Sequence, residues 1–132
     1  MRLDDLMDEI FDVLADVPGL NAPGIGRLSF TPPAPFAELP TITFGELGPG
    51  LDRIPDFAVT VYFGKPDAPQ VFRDALEYAS TAGPRSIPRA LALHDWTSCH
   101  TLRCGSAEPT IDPIAGVPML GYTFHLDITG AP

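Results

Sequence analysis

Basic charge is scarce in this chain. Eight Lys and Arg stand against 17 Asp and Glu, giving a formal charge of −9 and a pI near 4.4. Gripping nucleic acid by neutralising phosphates requires a basic patch, so the composition argues against that class. Lysine is nearly missing, with seven Arg to one Lys, a skew that fits a GC-rich coding sequence. The two cysteines are too few for a disulfide scaffold. No apolar run approaches the ~20 residues of a membrane span. The opening MRLDDLMDEIFDVLADV carries acids where an export signal has its apolar core, so assembly in the cytoplasm is expected. What is present is ordinary globular material: 132 residues, 45% apolar and 19% charged. That is one domain over 1–132, able to bury about two-thirds of its unfolded surface without metal or disulfide.

Apolar spacing predicts a helix over 3–17. Leu3, Leu6, Met7, Ile10, Val13, Leu14 and Val17 recur every three or four residues and share a face. Asp4, Asp5, Asp8, Glu9, Asp12 and Asp16 fill the remainder, and the early acids suit the positive end of the helix dipole. Residues 18–56 then hold eight of the sixteen prolines, which excludes helix and leaves room only for short or edge strands. Thr41-Ile42-Thr43-Phe44 alternates as a strand would, between long loops at 21–38 and 45–56. Loops of that length are binding elements, segments ordered by a partner, or plain flexible surface. The close glycines of GIGR and GELGPG lack the following helix that a phosphate cradle needs.

From residue 57 the pattern sharpens. Phe57, Val59, Val61 and Phe63 alternate with Ala58, Thr60 and Tyr62, as in a strand. A helix over about 68–80 follows, with Asp67 as cap, Pro69 in its first turn and Gln70 completing a capping-box spacing. Its expected buried stripe is Ala68, Val71, Phe72, Ala75, Leu76 and Ala79. Ser86 can cap a short second helix carrying Ile87, Ala90 and Leu91. Residues 96–104 and 117–129 read as strands, joined through a hairpin turn at 112–116. In the second, Leu120, Tyr122, Phe124, Leu126 and Ile128 take the core face, while His125 lies opposite beside Thr123 and Asp127. The order predicts an α+β fold, a mostly antiparallel sheet with an N-terminal helix and a central helix pair packed on one face.

One stretch invites a chemical reading. HDWTSCHTLRC, residues 94–104, holds two His, two Cys and an Asp. In a strand over 96–104, Cys99 would point away from His100 and Cys104. His100 and Cys104 would share a face about 13 Å apart, beyond what one zinc spans with bonds of about 2.0–2.3 Å. A thiol enzyme would need Cys99 or Cys104 activated by His94, His100 or His125. Neither cysteine sits at a helix N-terminus, where a thiol pKa falls. Two packing cysteines is the stronger reading, and His94 suits a helix C-terminus. No catalytic residue, metal or cofactor is expected.

Charge is also unevenly spread. Lys65, Arg73, Arg85, Arg89 and Arg103 fall within 65–103, against the acidic first helix. A head-to-tail ring could join such elements, with Asp4, Asp8 and Asp12 of one copy facing Arg73, Arg85 and Arg89 of the next.

EYASTAGPRSIPRALALHDWTSCHTLRC (77–104) and IAGVPMLGYTFHLDITG (114–130) resemble the C-terminal half of small tail-terminator proteins from long-tailed actinobacteriophages. The likeness covers roughly 57–130 and is one of fold and packing rather than of a chemical signature. It implies a hexameric ring that caps the tail tube, stops its polymerisation and joins the tail to the head connector. The implied partners are further copies of itself, the major tail tube protein and the neck proteins. Genomic DNA would pass through an acidic lumen without sticking. The implied place is the tail–neck junction of the virion. Another connector or neck protein, a monomeric adaptor and a small Cys/His enzyme are the competing readings.

Overall fold

The computed structural model describes residues 1–22, 31–43 and 52–130. GIGR, GELGPG and Phe44 lie outside them. Within the described residues the order is α1 (Leu3–Ala15), β1 (Ala34–Ala37), β2 (Arg53–Gly64), α2 (Pro69–Ala79), α3 (Ile87–Leu93), β3 (Thr101–Ile114) and β4 (Val117–Thr129). The four strands form one antiparallel sheet in the order β1-β2-β4-β3. The expected α+β class is therefore observed.

The core follows from alternation. Phe57, Val59, Val61 and Phe63 of β2 meet Leu120, Phe124, Leu126 and Ile128 of β4, all buried on the face the helices cover. Helix α1 adds Leu6, Met7, Ile10, Phe11, Val13 and Leu14. It stops at Ala15 rather than at 17, and Gly19 turns the chain at φ 83°. A side chain there would meet the Tyr78 hydroxyl at 2.6 Å. That hydroxyl donates to the Pro18 carbonyl at 2.7 Å, so the turn is bolted to α2.

Four expectations change. The strand at 41–44 is only an isolated bridge from Thr43 to Arg53. The strand in this region is instead β1, within what reads as loop. Pro35 is tolerated there because β1 is an edge strand and one side of its backbone needs no donor. Strand β2 starts earlier than 57 because Pro55 and Asp56 sit in a register shift between Ile54 and Phe57, where the ladder lapses. Strand β3 starts at Thr101 rather than 96 and runs on to Ile114, leaving a two-residue turn at Ala115-Gly116 with φ 52° and 79°. That is the positive-φ pair a tight hairpin requires.

Helix α2 is rolled relative to its expected stripe. Ala75 and Tyr78 are buried, while Phe72 and Leu76 are 47% and 60% exposed. The buried Tyr78 turns that face inward, stacking on Phe63 at 5.5 Å between ring centres. Asp67 does not cap α2, whose N-cap is Ala68 with no side-chain bond, and Gln70 donates forward to Asp74. The Ser86 cap of α3 forms as expected, accepting from the Arg89 N–H.

Gly19→Ala should lower stability by about 1–3 kcal/mol in denaturant melts, from φ strain and the Tyr78 clash. Replacing Phe72 or Leu76 by Ser should change stability by less than about 0.5 kcal/mol. A large loss at either would mean that α2 packs with the stripe inward.

Candidate functional site

The HDWTSCH loop bridges α3 and β3, and one carboxylate holds it. Glu9 lies near the middle of α1 with its side chain 13% exposed. Its Oε1 accepts from the Ser98 N–H at 2.8 Å. The Thr97 N–H donates at 3.1 and 3.2 Å to the two oxygens, and the Thr97 hydroxyl lies within 3.3 Å of both. His94 Nε2 stands 2.7 Å from Oε2. Burial works against ionisation here, yet hydrogen bonds from Ser98, His94 and Thr97 outweigh it and pull Glu9 down to about 2. The Trp96 ring packs edge-on to His94 at 4.5 Å, and its Nε1–H donates to the Leu91 carbonyl at 3.0 Å. Loop, α1 and α3 are thus one unit.

This geometry decides what the stretch can do. Residues 96–100 are not strand, so alternation does not separate Cys99 from its neighbours. Burial does: Cys99 is 3% exposed. Burial, with the Glu9 charge nearby, pushes its thiol up to about 11. At neutral pH it is a packed thiol and not a thiolate. Cys104 is half-buried and also raised by burial, with its thiol toward the Ser106 carbonyl. Among the described residues no group of three or more His, Cys, Asp or Glu is placed to hold a metal. His125 lies on the far face of the sheet, 2.7 Å from Asp56 and 3.4 Å from Glu108. Its expected neighbour Asp127 pairs instead with Arg53 at 3.0 Å.

The six interface candidates fall on two surfaces. Asp4, Asp8 and Asp12 are exposed on the outer side of α1, Asp4 in contact with Arg2 at 2.8 Å. Arg85 is half-buried, 3.8 Å from Glu77 and over the Tyr78 ring, so it also serves the fold. Arg73 and Arg89 are exposed and pair with no described residue. Arg89 borders a groove of about 520 Å³ between α3 and the start of β3. Pro88, Ala92, Leu93 and Leu102 give that groove an apolar lining, and Arg103 stands with Arg89 at its edge. Leu93 is 71% exposed. Leu93 borders both this groove and the crevice between α1 and α3. Sequence reading missed Glu9 and the groove, although Glu9 stands three residues after Leu6 and four before Val13, at the margin of the apolar stripe.

Glu9 has a folded pKa below its ordinary 4.5, so its stabilisation is complete above pH 4.5 and fades as pH falls toward 2. Glu9→Gln should therefore cost about 2–3 kcal/mol at pH 7. The gap to wild type should close between about pH 4.5 and 2 in acid-dependent melts. A gap independent of pH would remove the charge from this account. No protein-family model matches the chain, and no curated protein matches it significantly.

Proposed function

We propose that the chain is a phage virion protein, a ring-forming tail terminator that caps the tail tube, stops its polymerisation and joins the tail to the head connector. One observation carries this reading. His94 bonds Glu9 and Cys99 is buried beside it, so these two reactive-looking groups of 94–104 serve packing, while the unpaired groups are contact material on the surface. These are Asp8 and Asp12 of α1, Arg73, Arg89 and Arg103, and the exposed Phe72, Leu76 and Leu93. Exposed apolar side chains beside unpaired charge are typical of surfaces made to be covered. The segments that resemble tail terminators, 77–104 and 114–130, supply α3, the pinned loop, the groove and β4.

The charges suit steering better than holding. Exposed ion pairs contribute little affinity, whereas patches of opposite sign orient approaching copies and raise the association rate. A formal charge of −9 also suits a lumen through which DNA slides without sticking. Assembly in the host cytoplasm would place the protein at the tail–neck junction. A neck or connector protein is the second reading, because the same unpaired surfaces would serve any small ring.

Electron microscopy of particles made without the protein tests the role. Tails of uncontrolled length detached from heads are expected. Normal-length tails on leaking heads would move the chain to the neck, and intact particles would defeat both readings. Asp8→Lys with Asp12→Lys should slow assembly about tenfold at low salt, read by light scattering, and the difference should shrink as salt rises. An unchanged rate would remove α1 from the contact.

A further inference from the structure

Strands β3 and β4 continue past the rest of the sheet. The last pairing of β2 with β4 joins Gly64 to Leu120, whereas β3 and β4 go on pairing through Asp112–Met119, Pro113–Pro118 and Ile114–Val117. The result is a two-stranded arm. Its base is fixed, because the Tyr62 hydroxyl donates to Asp112 at 2.8 Å and the Tyr62 ring packs on Gly121. Alternation puts Ile114, Val117 and Met119 on one side of the arm, while Ile111, opposite Leu120 at the arm's base, faces the other side. Ile111 is 58% exposed and Val117 36%. The turn carbonyls of Ala115 and Gly116 accept no hydrogen bond from a described residue. An apolar knob with free acceptors at its tip is therefore held rigidly in solvent.

The groove between α3 and β3 has the matching chemistry. Its lining is mostly apolar, and Arg89 and Arg103 supply unpaired donors. Guanidinium forks bond carbonyl oxygens well. At about 520 Å³ it is large enough for several aliphatic side chains. Groove and knob belong to opposite ends of β3, at Leu102–Cys104 and Ile111–Ile114. Ten residues of strand put them roughly 35 Å apart, so no chain can fill its own groove.

We propose that the β3–β4 arm tip of one copy seats in the α3–β3 groove of the next copy. The inference rests on the reading of the chain as a self-assembling protein, and it names the contact. A knob and a groove at different places make a heterologous interface, which closes into a ring when the rotation between copies allows. The α1 acids and free arginines steer the approach, and the arm locks it.

Cys104 lines the groove, which supplies a direct test. The full chain carrying Val117→Cys, oxidised gently with diamide, should give a ladder of disulfide-linked copies. Adding Cys104→Ala should abolish the ladder, and the buried Cys99 should not replace it. Leu93→Asp and Ile111→Asp, both at exposed positions, should each weaken association at least about 30-fold by sedimentation, with circular dichroism unchanged. An assembled chain that gives no ladder and tolerates both substitutions would overturn the arm-and-groove contact while leaving self-assembly standing. A wild-type chain that sediments as a monomer at every concentration would overturn the self-assembly reading and this contact with it.

Discussion

The bond network around Glu9 sets the geometry of one whole side of the molecule. A carboxylate in the middle of a helix normally faces water. Here it reaches across to a loop 85 to 89 residues away and takes donors from His94, Thr97 and Ser98. Burying an ion is costly unless its oxygens are satisfied, and these are satisfied several times over. The depressed pKa of Glu9 expresses that surplus. Three consequences follow: α3 is held against α1, the chain enters β3 at a fixed point, and Cys99 is sealed beneath the loop. The groove above β3 inherits its shape from all three.

The opposite end of β3 depends on a different constraint. Tyr62 packs against Gly121, where any side chain would come within 2.8 Å of the Val61 carbonyl, and its hydroxyl fixes Asp112. One strand thus carries two separately braced features, a groove at its start and an apolar arm at its end. Bracing lowers the entropy lost when two copies meet. It also explains why exposed apolar groups can be displayed here without the sheet rearranging to hide them.

What the residues disclosed depended on how periodic each element is. Helix α1, strand β4 and the Ser86 cap were legible because apolar spacing and capping chemistry are local. Strand β1 was not, since Pro35 and the Pro32-Pro33 before it read as loop and only pairing with β2 makes Ala34–Ala37 a strand. The roll of α2 was hidden because the expected stripe left out Tyr78, whose hydroxyl finds the Pro18 carbonyl 60 residues away. Within 94–104 strand alternation does not separate the reactive-looking groups, since strand begins only at Thr101; burial of Cys99 and the bond from His94 to Glu9 are what place these groups. Glu9 was passed over as one acid among six. Its place at the margin of the apolar stripe was visible, and its partners were not.

Amide hydrogen exchange tests the central place of Glu9 most directly. Thr97 and Ser98 lie in an irregular loop, where amides ordinarily exchange fast. With both N–H groups donating to a buried carboxylate, they should exchange as slowly as the paired amides of β4 near neutral pH. Both should become fast in Glu9→Gln while β4 stays protected. Fast exchange at Thr97 and Ser98 in the wild-type chain would show that Glu9 does not hold the loop, and the groove built upon it would lose its foundation.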